Sequence, residues 1–144
     1  YDDIEDGFSA GKTVSRLAIG SDVTEVDEDL GYSIKRSQAS ALTSFALSPN
    51  IVSSGNGFLL TALQSLDIPD GVREIDDVFL RSRSGVQTQL SSVHVPDSVS
   101  SIGWQAFMYS KQLKSAVLGA GLKTLSAEAF EFCTSLEDVV FKGD

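Results

Sequence analysis

The chain is short of several things, and each shortage excludes something. One cysteine in 144 residues rules out a disulfide within the chain. One histidine leaves little material for histidine-based nucleophilic catalysis. Positive charge is scarce: 11 Lys and Arg stand against 20 Asp and Glu, for a net charge of −9. That balance argues against nucleic acid or an anionic membrane as partner, because both need a basic face. No apolar run approaches the length of a membrane span. There is no glycine-rich phosphate loop and no metal-ligand spacing. The chain shows neither a signal peptide nor an initiator methionine, so it reads as a mature or trimmed form.

What is present is order. Apolar residues make up 42% and charged residues 22%, as in a folded protein of one domain. Six places share one apolar spacing: Val14-Leu17-Ile19, Leu42-Phe45-Leu47, Leu63-Leu66-Ile68, Leu90-Val93-Val95, Leu113-Ala116-Leu118 and Leu136-Val139-Phe141. The last two members of each triplet are two apart and so face one side of a strand. Leu90, Leu113 and Leu136 recur 23 residues apart. Self-similarity at such a period is the signature of a solenoid, in which stacked coils bury what one coil cannot.

Four residues after each strand a further apolar residue follows: Val23, Ile51, Val72, Val99 and Leu122. The links between are turn formers, Gly-Ser-Asp, Ser-Pro-Asn, Pro-Asp-Gly, Pro-Asp-Ser and Gly-Ala-Gly. Three residues on come Val26, Ser54, Ile75, Ile102 and Leu125. The return arm reads as a short helical piece in the best copies, around Gly103–Phe107 and Ser126–Phe130. Ser126 would be its N-cap, with Glu128 near the positive end. Coils start near 14, 42, 63, 90, 113 and 136, after a partial coil at 1–13, and the whole of 1–144 is expected to be one domain.

From Leu90 to Cys133 the chain resembles the BspA-type leucine-rich repeat. That pattern reads L-x-x-V-x-I-P-x-S-V-x-x-I-G-x-x-A-F-x-x-C. It appears here as Leu90, Val93, Val95, Pro96, Ser98, Val99, Ile102, Gly103, Ala106 and Phe107, then as Leu113, Leu118, Leu122, Leu125, Ala129, Phe130 and Cys133. The likeness is specific over 63–142 and looser before. In the first two copies the Ala-Phe pair is absent. The resemblance implies a β-rich α/β solenoid, a right-handed superhelix with a parallel sheet on its concave face and short helical or irregular return arms. It also implies a secreted or cell-surface protein concerned with adhesion and protein contact. The family carries no catalytic set and no cofactor, so none is transferred.

Two surfaces are free of core duty. On the strands, the variable positions make two rows: Ala18, Ala46, Asp67, His94, Val117, Val140, and Arg16, Ser44, Ser65, Ser92, Ser115, Asp138. Asp67 and His94 should lie side by side. With Ser65 or Ser92 near, they suggest a Ser-His-Asp arrangement. An open sheet offers no closed pocket or oxyanion hole, so an exposed ion pair of small value is the expected reading. The second surface comes from two longer coils, since coil starts are spaced 28, 21, 27, 23 and 23. The extra residues, 30–41 and 80–89, carry Lys35, Arg36, Arg81 and Arg83. They would be either a pair of mobile polar loops or a basic ridge on an acidic body, facing an acidic protein or a glycan.

Smaller signals have bland readings. The acidic stretch Asp22, Glu25, Asp27, Glu28, Asp29 lacks the alternating ligands and central glycine of a calcium loop. Cys133 is expected as a small core filler. Trp104 sits at a position that differs between copies, where a contact role and a place at the edge of the core are equally open. Neither end offers a polar cap, so the expectation is either further coils or end-to-end self-association with another copy. The leading functional expectation is a non-enzymatic recognition or adhesion module at the cell surface or outside the cell, binding a protein or glycan. The alternative is a structural spacer that presents another domain.

Overall fold

From residue 65 on, successive coils lay their strands side by side. The structure, a computed structural model, describes residues 15–24, 43–48, 50, 62–77, 79–80 and 88–143. β1 (Arg16–Ala18) pairs in parallel with β2 (Ser44–Ala46), matching Leu17 to Phe45. β3 (Ser65–Asp67), β5 (Ser92–Val95), β7 (Ser115–Leu118) and β9 (Asp138–Phe141) form a four-stranded parallel sheet in the order β3-β5-β7-β9. Its register runs Leu66 to Val93, Val93 to Ala116 and Ala116 to Val139. The core-facing residues of the last four triplets are thus one ladder, with the side chains between them pointing outward, while Leu17 and Phe45 pair in a separate two-stranded sheet.

The second spacing has a structure of its own. β4 (Glu74–Ile75), β6 (Ser101–Ile102) and β8 (Thr124–Leu125) make a second parallel sheet in the order β4-β6-β8. Ile75, Ile102 and Leu125 are register partners. The four-residue link between the two strands of a coil is one repeated turn. Val72 N donates to Pro69 O, Val99 N to Pro96 O and Leu122 N to Gly119 O, at 3.0–3.2 Å. The first coil does the same, from Val23 N to Gly20 O at 3.0 Å. Proline suits the start of this turn because it gives up an N–H that no ladder needs.

The return arms differ from the expected helices. Among the described residues there is no helix, and 104–109 and 127–132 are turns. The reason lies in where the backbone donors go. Phe107 N donates across to Ala129 O at 2.8 Å and Tyr109 N to Glu131 O at 2.9 Å, so these groups serve the next coil and not their own turn. Gln105 and Tyr109, and 23 residues on Glu128 and Phe132, hold positive φ of 55–63°. Left-handed residues at this spacing interrupt any helix. Ser126 caps none, and its N–H instead bonds Ile102 O at 2.9 Å.

Between the two sheets and the return arms runs one apolar core, from Phe45 and Leu47 to Ala129 and Cys133. Aromatic rings continue from coil to coil: Phe79 meets Phe107 edge-on at 6.1 Å, and Phe107 stacks on Phe130 at 5.1 Å. Each large aliphatic side chain sealed in this way contributes about 1.5–3 kcal/mol. Short polar side chains fasten the coils at the rim. Ser98 Oγ donates to Val72 O at 2.7 Å, Ser100 Oγ to Arg73 O at 3.2 Å and Ser91 Oγ to Gln64 O at 3.3 Å, each reaching the coil before. Asp97 works the other way and accepts Ala120 N at 2.9 Å.

Where coils approach most closely, glycine is required. A methyl group at Gly121 would run into the Asp97 carbonyl, whereas one at Gly20 would meet nothing within 4 Å. Gly121→Ala is therefore expected to cost about 1–3 kcal/mol of stability. Gly20→Ala should be near neutral, and chemical denaturation of the two variants side by side checks the contrast.

Candidate functional site

The residues available for recognition stand on the outward face of β3-β5-β7-β9. Ser65, Ser92, Ser115 and Asp138 form one row across the sheet, and Asp67, His94, Val117 and Val140 the next. Alternation along each strand produces this: the residues between the core-facing ones must point away from the core. Asp67 and His94 are register partners, as their equivalent positions require. The hydrogen bond that the structure gives His94 is with Lys142, whose Nζ lies 3.3 Å from Nε2. Lys142 follows β9 and reaches back past β7, bringing three coils together at one point of the surface.

This arrangement does not assemble a nucleophile. All three side chains are exposed on an open sheet, and Nε2, the atom a serine would need, faces a lysine. Among the described residues, no group of three His, Cys, Asp or Glu converges as metal ligands do. Lys35, Arg36, Arg81 and Arg83 lie outside the described residues. Of the acidic stretch only Asp22 is described, and it is exposed. Lys142 was not legible as a member of the site. Its contact spans 48 residues and depends on a side chain long enough to cross one strand.

A second surface is apolar. Leu118 is fully buried, but its partner one coil on, Phe141, is 57% exposed. Ile102 is fully buried, and Leu125 beside it is 41% exposed. Val139 and Phe132 are exposed as well. Tyr109 stacks flat on Phe132 at 4.7 Å, leaving the far face of that ring open. The last two coils thus leave exposed the apolar rows that are buried at Val95, Leu118, Ile75 and Ile102. Trp104, also exposed, is held from its backbone N–H by Asp77 Oδ1 at 2.5 Å.

Cys133 is the buried thiol of the return arm, and it donates to Phe107 O at 3.3 Å. Burial raises its pKa from 9.0 to about 11, against a smaller opposing pull from a backbone hydrogen bond at Ser110.

Parallel strands from successive short coils make the described part of the chain a solenoid. Residues 55–144, more than half of the chain, match the BspA type leucine rich repeat region. The chain belongs to that family. A leucine-rich repeat protein from Bacteroides ovatus ATCC 8483 has a similar structure, with a TM-score of 0.50 at 18% identity over 90% of this chain. The chain spans 38% of that protein's length. A leucine rich cell surface protein from Faecalibacterium prausnitzii A2-165 is 14% identical over 97% of this chain and 62% of its own, with a TM-score of 0.27. No curated protein matches the chain. Among the described residues no helix is long and apolar enough to cross a membrane.

The thiol gives a direct test. The thiolate is the reactive form, so Cys133 should resist iodoacetamide at pH 8 in the folded protein and react once denaturant is added. Its folded pKa lies above the unfolded value, so its contribution to stability is complete below pH 9.0 and declines as pH rises toward about 11. Denaturation curves of wild type and Cys133→Ala should converge over that alkaline range.

Proposed function

We propose that this protein is a non-enzymatic recognition module of the cell surface or extracellular space, binding a protein or glycan partner. The observation that carries this is the outward face of the four-stranded sheet. It sets Asp67, His94, Ser92, Ser115 and Asp138 in register across successive coils, none of them needed by the core. Family membership supports a role in contact, and a repeat scaffold offers extended binding surface. The whole chain, 1–144, acts as one such domain in this reading. In the same reading the basic residues Lys35, Arg36, Arg81 and Arg83 supply a second contact surface for an acidic partner.

A glycan and extracellular-protein array probed with the purified chain tests the proposal. At least one ligand should be retained, and Asp67→Ala with His94→Ala should weaken it tenfold or more if the sheet is the contact surface. Reversing all four loop charges asks the same of the ridge. An array without any ligand favours the spacer reading. The exposed rows of the last coil support self-association of the isolated chain, coil end against coil end. Sedimentation should show a concentration-dependent oligomer that Phe141→Glu converts to monomer. A wild-type monomer at all concentrations would contradict this.

A further inference from the structure

We propose that the core cavity walled by Leu63, Leu80, Thr88, Leu90 and Ser110 is a binding site for one water molecule, which bridges the Thr88 and Ser110 hydroxyls. The cavity has a volume of ≈ 10 Å³, about what a single water requires. Thr88 is 6% exposed and Ser110 1%, and both hydroxyl oxygens are buried with no hydrogen-bond partner among the described residues. A buried hydroxyl left unpartnered is costly, and a wholly apolar void stays dry, whereas one with two polar groups does not.

The repeat explains why a hole falls here. Ser110 occupies the slot that Cys133 fills one coil later, and Leu80 the slot of Phe107. In the later coil, the larger sulfur reaches Phe107 O at 3.3 Å. In the earlier one, both members of the pair are smaller, so the core is short of volume at one point. Thr88 is drawn into the same place. Its counterparts Lys111 and Thr134 are not buried, yet Thr88 is. Among the described residues the defect is therefore lined by two hydroxyls and three leucines. Water restores both the missing volume and the missing hydrogen bonds.

Three measurements on the whole chain test the proposal. A crystal structure fine enough to place waters should show one ordered molecule within about 2.6–3.2 Å of both oxygens. Oxygen-17 relaxation dispersion should count one long-lived water fewer in Ser110→Cys, which restores the side chain used by the neighbouring coil. Thr88→Val and Ser110→Ala should each lower Tm, and the double variant should lose clearly less than the sum, because the two hydroxyls share one bridge. A dry cavity whose hydroxyls bond to protein atoms, an unchanged count of long-lived waters, or strictly additive losses would each overturn it.

Discussion

The fold depends on one constraint: no coil can bury its own apolar residues. A strand of three or four residues has one core-facing side and almost no volume of its own. Val93, Val95, Val99 and Ile102 are sealed because Ala116, Leu118, Leu122 and Leu125 lie against them, and Ala116 and Leu118 in turn need the strand from Asp138 to Phe141. The backbone follows the same rule. Donors that would close a helical turn in an isolated arm are spent between coils, which is why the return arms are stacked turns with left-handed residues at fixed positions. Cohesion is thus directed along one axis, and each coil depends chiefly on its two neighbours.

That axis also governs how differences between coils are absorbed. At the exit from the main strand, Gly119 accepts the same turn hydrogen bond as Pro69 and Pro96, though it has nothing of proline's ring. At the close approach after it, Gly121 stands where Ser98 stands one coil earlier. Ser98 uses its hydroxyl on Val72 O, whereas Gly121 makes room for the Asp97 carbonyl. In the return arm the pair Ala106-Phe107 becomes Phe79-Leu80, with the larger ring moved one residue along the chain. Phe79 still meets Phe107, but edge-on, where the regular pair Phe107 and Phe130 stack face to face. Each substitution is tolerated because its neighbours adjust along the stack.

How much of this is legible in the sequence depends on how local the signal is. The main ladder is legible because Leu66, Val93, Ala116 and Val139 each sit in the same apolar triplet, and a turn signal follows the first three. The second sheet is legible only as an apolar position. Two-residue strands such as Ser101–Ile102 are too short to show alternation. The return arms mislead for a physical reason. Ala-Phe beside polar residues has helical spacing, and Gln105, Tyr109, Glu128 and Phe132 are not residue types that announce positive φ. The Asp67–His94 alignment follows from coil equivalence, whereas the Lys142 contact follows from side-chain reach alone and has no period to reveal it.

The same division separates stability from recognition. Inward residues are fixed by the coils on either side, so a change at Ile102 or Leu118 is felt in three coils at once. Outward residues answer only to solvent and to whatever binds. His94 shows the difference within a single strand: its neighbours Val93 and Val95 are buried, and it is not. A ligand-binding surface on such a scaffold can vary at every second position of every coil without touching the core. The stack makes the surface regular, and it leaves the chemistry of that surface free.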